Sequence, residues 1–352
     1  MKKKTHTTHV PHLVSVIVPC RNERPYIESF CRGVMRQIMP DGSRLQLLVA
    51  DGMSDDGTRE VLQRLSQEDP RIQVIDNQRH IVSTGLNAAL LQAQGDVIVR
   101  MDVHTEYAAD YILQAMAVLA ESGADNVGGP WHAEPDLLAG PTQRAVAAAF
   151  QSPWVAGGAL SRRLHYNGWA DTVYLGCWPR ATFERFGGFD ESLVRNQDDE
   201  HNLRIARGGG LIWQSSRIRS VYRPRATLAQ VFRQYLQYGY WKPFVMKKHG
   251  QAASPRHVIP ALFVLALLAS GLIALLGGSG WPLLTLATAY ALAVLLMTMG
   301  ASQREPCGLE ALVRVPVVIA LYHLAYGLGS LMGAWDVWLR GKGRPAFAAL
   351  TR

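Results

Sequence analysis

Short apolar runs alternate with amphipathic stretches along roughly the first hundred residues of the chain. The runs are rich in Val, Ile and Leu, which is typical of strands buried on both faces of a parallel sheet. They cover residues 13–19, 45–50, 72–75 and 97–99. The stretches between them have helical spacing and cover residues 26–37, 59–65 and 83–94. This alternation predicts an α/β domain whose mostly parallel sheet is flanked by helices.

The pattern continues less regularly over the next part of the chain. Residues 110–120 and 196–206 predict helices, and residues 125–130 predict a further strand. Residues 131–173 are rich in Gly, Ala, Trp and Arg, and their weak periodicity assigns no element. We expect one α/β domain over residues 13–226.

The last third of the chain has a different composition. Residues 258–303 contain no Lys, Arg, Asp or Glu. Residues 258–277 and 281–300 are each about long enough to cross a ~30 Å hydrocarbon core as a helix. Residues 309–335 form either a third span or a bent interfacial segment, since glycines stand at positions 327, 329 and 333. The sequence therefore predicts a membrane domain over residues 257–340 with two or three spans.

An amphipathic stretch precedes the first predicted span. Leu228, Val231, Phe232 and Tyr235 lie on one helical stripe and lysines follow, which is typical of a segment lying in the membrane interface. We expect such a segment over residues 227–256, and a packed soluble helix is the alternative.

The basic residues cluster beside the apolar segments. The net charge is +8, and Lys and Arg are concentrated in the predicted basic tails, residues 1–12 and 341–352, and near residues 242–256. This distribution is better explained by positive-inside topology and anionic lipid than by nucleic acid. It predicts that the α/β domain is cytosolic.

Polar residues follow several of the predicted strands. Arg21 and Glu23 follow the first, Asp51 follows the second, and Asp102 and His104 follow the fourth. Ligands of open α/β sheets bind beyond the carboxyl ends of the strands. In extended chain residues i and i+2 point the same way, so we expect Asp102 and His104 to hold a divalent ion and, through it, a nucleotide diphosphate. The alternative is a helix-capping Asp beside a surface His.

Three acids open the predicted helix at residues 196–206. Asp198, Asp199 and Glu200 would stabilise a helix N-terminus by a few tenths to ~1 kcal/mol each. Sequence pattern alone favours that interpretation slightly over catalysis. The common dinucleotide and triphosphate loops, Gly-X-Gly-X-X-Gly and Gly-Lys-Ser/Thr, are absent from the sequence.

Ordered motifs over residues 14–241 resemble the family 2 inverting glycosyltransferases, which have the GT-A fold. The matching segments are VIVPCRNE at residues 16–23, VADGMSDDGT at residues 49–58, and GGFDE at residues 187–191 followed by Asp198. The strand leading to Asp102 matches the family's metal motif.

The resemblance implies roles for the matched residues. Asp102 would bind Mg²⁺ or Mn²⁺ bridging the diphosphate. Asp198 would be the general base on the acceptor hydroxyl, with Asp199 as runner-up because neighbouring helical residues point about 100° apart. The residues expected to contact the uridine or ribose of a UDP-sugar are Pro19, Arg21, Glu23 and Asp51.

The sequence departs from the family pattern at two motifs. His104 replaces the second metal-motif Asp, which favours Mn²⁺ over Mg²⁺ or makes His104 a non-ligand. The stretch from Gln237 to Trp241 lacks the Arg of the processive Gln-X-X-Arg-Trp motif, which favours transfer of a single sugar. Gln237, Tyr240 and Trp241 are candidates for the acceptor or membrane side of the site.

The pattern is similar to bacterial exopolysaccharide enzymes of the succinoglycan type. This similarity implies a hexosyl-transferring enzyme that moves a sugar, glucose being favoured, from a UDP-sugar to a polyprenyl-diphosphate-linked saccharide. Its partners would be donor, lipid-linked acceptor and membrane lipid, without nucleic acid. Its location would be the bacterial inner (cytoplasmic) membrane. The alternatives are a non-catalytic UDP-sugar-binding scaffold, a transferase with another lipid or glycan acceptor, and a membrane nucleotidyltransferase.

Overall fold

The computed structural model describes residues 13–252, 254–304 and 307–348. The predicted tail over residues 1–12 and the last four residues of the second tail lie outside the described residues. The chain divides into two compact units. The sheet unit holds residues 13–131, 164–191 and 198–221, and the helical unit holds the remaining described residues. This division differs from the predicted single boundary at residue 226, since residues 132–163 and 192–197 belong to the helical unit.

Strands and helices alternate over most of the first part of the chain, as predicted, and the described residues after the last strand are mainly helical. The strands are β1 (Leu13–Cys20), β2 (Arg44–Asp51), β3 (Ile72–Asp76), β4 (Val97–Arg100), β5 (Thr105–Tyr107), β6 (Asn126–Gly129), β7 (His132–Ala133), β8 (Gly168–Trp169), β9 (Tyr174–Pro179), β10 (Ile212–Gln214) and β11 (Ser220–Tyr222). The helices are α1 (Ile27–Met35), α2 (Thr58–Glu68), α3 (Val82–Gln92), α4 (Tyr111–Ser122), α5 (Pro141–Gln151), α6 (Arg180–Phe186), α7 (Gln197–Arg207), α8 (Leu228–His249), α9 (Ile259–Leu275), α10 (Trp281–Arg304), α11 (Leu309–Leu312) and α12 (Val315–Trp335).

The main sheet of the sheet unit is mostly parallel, which confirms the predicted class. Its strand order is β3-β2-β1-β4-β9-β6-β10-β8. The first four strands in this order, β3, β2, β1 and β4, pair in parallel with their neighbours, whereas β9 runs antiparallel to both β4 and β6. Val16, Ile17 and Val18 are fully buried, as expected for a central strand covered by helices on both faces.

The parallel register brings the carboxyl ends of β1, β2, β3 and β4 to one edge of the sheet. Cys20 pairs with Asp51, Asp51 pairs with Asp76, and Ile17 pairs with Arg100. The polar loops that follow these strands therefore leave the sheet side by side. The residues predicted to bind the nucleotide and the metal ion lie at the ends of strands or follow them at this edge.

The unassigned stretch of the sequence contains a helix of the helical unit. In α5 the side chains of Ala145, Ala148 and Ala149 are buried, and they belong to one apolar cluster with Val315 and Ile319 of α12. Alanine gives a weak contrast between the two faces of a helix. The sequence pattern therefore missed an element that tertiary contacts define clearly.

Helix α8 lies within the predicted segment of residues 227–256 and packs along α12. A Cβ added at Gly239 would overlap the carbonyl of Tyr326, and one added at Gly333 would overlap the carbonyl of Tyr240. The two backbones thus approach each other where side chains are missing, as in small-residue helix contacts of membrane proteins. Within the helical unit α8 is a packed helix, and the prediction that residues 227–256 lie in a membrane interface stays a prediction.

Two helices are long and apolar enough to cross a membrane, judged by length and composition. They cover Trp281–Gln303 and Leu309–Arg340, and the shorter apolar helix Ile259–Leu275 falls below that length. Helix α12 runs unbroken through the glycines at positions 327, 329 and 333. Of the two alternatives for residues 309–335, the unbroken helix favours a third span over a bent interfacial segment, and the number of spans stays a prediction. The glycines lie at close helix contacts: Gly329 faces α8, and Gly327 faces Pro260 of α9.

Candidate active site

Two motif loops are joined by hydrogen bonds at the carboxyl edge of the sheet. The backbone N–H of Asn22 donates to Ser54 Oγ at 2.8 Å, and that of Glu23 donates to Thr58 Oγ1 at 2.8 Å. Asn22 and Met53 both have positive φ angles, of 54° and 55°, which are uncommon for residues other than glycine. The loops after β1 and β2 therefore form one locally bonded structure.

Asp51, a predicted nucleotide-binding residue, is the last residue of β2 and is buried below these two loops. Its side chain is fully buried, Ser54 Oγ donates to it at 2.5 Å, and Arg59 Nη1 donates to it at 3.0 Å. The other arm of Arg59 contacts Asp76 at 2.5 Å. Asp51 is thus bonded within the protein and orients Arg59, which is 28% exposed.

The predicted residues of the β1 loop surround this position. Arg21 is exposed, and its aliphatic carbons lie against Gly52, where an added Cβ would come within 3.2 Å. Pro19 is partly buried. Glu23 is buried, and its Oε1 lies 3.6 Å from His104 Nδ1. The edge thus brings together Pro19, Arg21, Glu23 and His104 with Asp51.

The segment after β4 turns instead of continuing as a strand. Strand β4 ends at Arg100, residues 103 and 104 form a turn, and Thr105 N–H donates to the Asp102 carbonyl at 3.2 Å. The argument that Asp102 and His104 converge as i and i+2 of an extended chain is therefore wrong. Tyr107 holds the turn, because its hydroxyl accepts from Asp102 N at 2.6 Å and contacts the Asp102 carbonyl at 3.2 Å. Burial raises the pKa of Tyr107, so this hydroxyl stays protonated.

Arg100 joins the two carboxylates of greatest predicted importance. Its Nε and Nη2 donate to the two oxygens of Asp102 at 3.1 and 3.2 Å, and its Nη1 contacts Asp198. Arg100 is 4% exposed. Sequence analysis missed this residue, although an arginine at the end of a buried strand requires a counter-charge.

Asp198 stands in the first turn of α7 and is suited to accept a proton. Desolvation raises the pKa of Asp198 to about 6, although the positive charge of Arg100 opposes this rise. A carboxylate with a pKa near neutrality is a better general base than an ordinary aspartate. The contact with Arg100 is an interaction of Asp198 beyond the helix capping that sequence pattern favoured. Asp199 follows it on the helix and is partly buried.

The described residues contain no group of three His, Cys, Asp or Glu side chains placed to share one metal ion. Asp102 is 20% exposed and offers two carboxylate oxygens. Mg²⁺ and similar ions are commonly bound by one or two carboxylates together with substrate phosphates and water. This donor set fits a divalent ion that binds with a diphosphate. His104 lies near Glu23, and its role as a ligand stays a prediction.

The candidates for the acceptor side belong to the helical unit and are buried within it. Tyr240 donates its hydroxyl to Asp336 at 2.8 Å and stacks on Phe347. Trp241 Nε1 donates to the Phe347 carbonyl at 3.2 Å, and Gln237 accepts from Arg195 at 3.2 Å. Arg344 pairs with the buried Asp336 at 2.6 Å and Phe347 is buried, whereas most other residues of 341–348 in the predicted basic tail are exposed.

Comparison with known proteins identifies the family. The profile of "Glycosyl transferase family 2" matches residues 15–154. The chain is 32% identical over 324 residues to the succinoglycan biosynthesis protein ExoA of Rhizobium meliloti (strain 1021), covering 89% of this chain and 92% of that protein. It is 21% identical to the dolichyl N-acetyl-alpha-D-glucosaminyl phosphate 3-beta-D-2,3-diacetamido-2,3-dideoxy-beta-D-glucuronosyltransferase of Methanococcus voltae, over 92% of this chain and 97% of that protein.

A solved structure has a similar fold. The mannosyltransferase PcManGT from Pyrobaculum calidifontis, in complex with GDP-Man and Mn²⁺, matches with a TM-score of 0.56 and 22% identity, over 94% of this chain and 88% of that chain. The GT-A-like fold expected from the sequence motifs is thereby confirmed. With the extended match to ExoA and the matching family profile, these findings establish that the chain belongs to glycosyl transferase family 2 and is a glycosyltransferase.

Proposed function

We propose that this glycosyltransferase transfers one sugar, with inversion, from a UDP-sugar to a polyprenyl-diphosphate-linked saccharide in exopolysaccharide biosynthesis. The observation that carries the proposal is the pairing of Asp102 and Asp198 through Arg100 at the carboxyl edge of the sheet. A donor-binding carboxylate and a general base must lie close together, because the acceptor oxygen attacks the carbon that bears the diphosphate.

Asp198 would act on the acceptor. Its carboxylate removes the proton of the acceptor hydroxyl while that oxygen forms a bond to the anomeric carbon. The bond from the anomeric carbon to the diphosphate oxygen breaks, UDP leaves, and the new bond lies on the opposite face of the sugar. General-base assistance is typically worth about 10²–10⁴-fold.

Asp102 would hold a divalent ion together with the donor diphosphate. The ion, when bound, supplies positive charge for the leaving UDP. Manganese is favoured because His104 replaces an oxygen ligand, and the Mn²⁺ of the PcManGT complex is consistent with that preference. Pro19, Arg21 and Glu23 would line the nucleoside side, with Asp51 acting through Arg59.

The proposed acceptor and location are supported by the relatives and by the apolar helices. The Methanococcus voltae relative is named for a dolichyl-linked sugar phosphate, and the Rhizobium meliloti relative for succinoglycan biosynthesis. Two candidate spans suit an enzyme whose acceptor is anchored in a membrane. We place the protein in the bacterial inner membrane with the donor site on the cytosolic side, and we expect glucose as the sugar.

The test uses the full chain purified in detergent. Release of nucleotide would be measured for UDP-glucose, other UDP-sugars and GDP-mannose, with Mn²⁺ or Mg²⁺, with and without a polyprenyl-diphosphate-linked sugar. We expect metal-dependent release from one UDP-sugar, stimulated by the lipid. Release from GDP-mannose alone would overturn the UDP assignment, and binding of UDP without turnover of any donor would favour the scaffold alternative.

The base is tested by matched substitutions at neighbouring positions. Asp198→Asn should lower turnover by about 10²–10⁴-fold while UDP affinity stays within about twofold of the wild type. Asp199→Asn is the control and should keep most of the activity. The reverse result would move the base to Asp199.

A further inference from the structure

Arg100 is the shared counter-ion of two carboxylates with different proposed roles. Asp102 receives two parallel hydrogen bonds from one edge of the guanidinium, and Asp198 receives a contact from the remaining nitrogen. Arginine suits this arrangement because its donors form a planar fork that stays charged at all ordinary pH values. The side chain is 5% exposed, whereas those of Asp102 and Asp198 are 20% and 34% exposed.

The charges of this trio do not balance. One guanidinium faces two carboxylates, so the ionised group carries a net charge of −1. At close range in a partly desolvated site such a charge attracts a cation strongly. The guanidinium, however, already occupies both oxygens of Asp102. A divalent ion that binds across both oxygens of Asp102 must therefore compete with Arg100 for the same lone pairs.

We propose that Arg100 is a positioning residue with two effects: it tethers the base Asp198 to the end of β4, and it competes with the divalent ion for Asp102. This inference rests on the proposed function, since it takes Asp102 as a metal ligand and Asp198 as the base. Binding of the ion shifts Arg100 away from Asp102 while Asp198 keeps its contact. The diphosphate of the donor adds negative charge and favours that exchange, so the ion binds more tightly with nucleotide than without it.

If Arg100 had a purely structural role, its removal would change the Mn²⁺ affinity in the opposite direction. Removing a structural arginine loosens the site, so Mn²⁺ and UDP affinities fall together. Removing a competitor frees both oxygens of Asp102 and deletes a positive charge beside the ion. Mn²⁺ affinity then rises although the enzyme becomes slower.

The experiment measures Mn²⁺ binding to the full chain in detergent without nucleotide, by the electron paramagnetic resonance signal of free Mn²⁺. Arg100→Met should bind Mn²⁺ about fivefold more tightly than the wild type. Its turnover with saturating donor and metal should fall by about 100-fold, because Asp198 loses its tether. Arg100→Lys keeps the charge but not the fork, so both values should lie between those of Arg100→Met and the wild type.

Two further variants serve as controls. Arg180→Met removes a guanidinium of the same unit whose hydrogen bonds within the described part of the chain go to the backbone carbonyls of Ala93 and Gly95, and it should leave Mn²⁺ affinity unchanged. Arg100→Met combined with Asp102→Asn should lose the gain, which shows that the gain acts through Asp102.

The outcomes separate this inference from the proposed function. Unchanged or weaker Mn²⁺ binding in both Arg100→Met and Arg100→Lys, with UDP binding intact, overturns the inference and leaves the proposed function standing. A wild-type chain that binds neither UDP nor Mn²⁺, separately or together, overturns the proposed function and the inference with it. Tighter Mn²⁺ binding with reduced turnover supports the inference.

Discussion

The two units of this glycosyltransferase bury their interiors by opposite means. The sheet unit packs large branched side chains such as Ile17, Leu48 and Val99 on both faces of its strands. The helical unit instead has glycines where α8 and α12 meet, so that the two helix backbones come into close contact at Gly239 and Gly333.

The difference decides where each unit keeps its polar and apolar surfaces. In the sheet unit the strands are buried, and polar groups collect at the carboxyl edge, where Arg100, Asp102 and Asp198 meet. In the helical unit large leucines point outward, and the exposed side chains include Leu268 and Leu296. Contiguous exposed apolar surface of this kind marks an interaction with a membrane or another protein. The charged edge thus belongs to the first unit, and the exposed apolar side chains of the long helices belong to the second.

The largest expected effect is a loss of stability of the helical unit when one methyl group is added at a helix contact. Gly333→Ala would place a Cβ against the Tyr240 carbonyl, which should cost more than the ~3 kcal/mol usual for overpacking because both partners are backbone. Gly271→Ala in α9 is the matched control, since its Cβ would meet open space. The apparent melting temperature in detergent should fall sharply for the first variant only. Equal melting temperatures would show that α8 and α12 do not depend on close contact.

A smaller effect tests the charged edge of the sheet unit through its pH dependence. Burial raises the pKa of Asp198 to about 6, and a general base acts only when deprotonated. Turnover should therefore be constant above pH 7 and fall about tenfold per unit below pH 6. The measurement is the rate of UDP release from pH 5 to pH 8. The residual activity of Asp198→Asn should lack this dependence, and an unchanged acid limb in that variant would assign it to another group.

The smallest effect concerns the core of the sheet unit. His201 stacks on Phe183, with ring centroids 5.2 Å apart, and its Nε2 lies 3.1 Å from the Gly187 carbonyl. Burial lowers the pKa of His201 from 6.5 to about 4. Between these values the unfolded chain binds a proton that the folded protein does not, so the free energy of unfolding decreases as the pH falls from 6.5 to 4.

His201→Phe keeps an aromatic ring and removes this proton. Between pH 7 and pH 5 the melting temperature of the wild type should drop about 2–4 °C more than that of the variant. The comparison of both proteins at both pH values cancels the effect of the lost hydrogen bond at neutral pH. Identical drops would show that His201 is protonated in the folded protein.

The first four strands of the sheet unit were predictable from the sequence almost to the residue, whereas β5 and β8 to β11 were not predicted. Buried parallel strands are continuous apolar runs, and β1 and β2 begin and end within a residue of the predicted limits. Helix α5 was missed because alanines buried against other helices give little periodic contrast. The sequence left both a span and a bent segment open for residues 309–335, because a glycine in a helix looks the same in sequence whether it bends the helix or contacts another backbone.

Some features of the candidate site were likewise predictable from the sequence, and others were not. Motifs at strand ends were sufficient to single out Asp51 and Asp102, because parallel topology brings strand ends to one edge. Asp198 opens a helix, and only the family resemblance singled it out. The burial of Asp51, the turn at residues 103–104 and the contact between Arg100 and Asp198 were not predictable. Local sequence does not show that Arg100 pairs with Asp198, because the two residues are 98 positions apart in the chain.

The sequence by itself determined the class of the fold, the family and the kinds of side chain available for chemistry, because periodicity and motifs are local properties. The tertiary structure alone decided which of these side chains are bonded to one another and which remain accessible. An arginine at the end of β4 is an ordinary buried charge until folding places two carboxylates around it, and burial, hydrogen bonds and charge then act together.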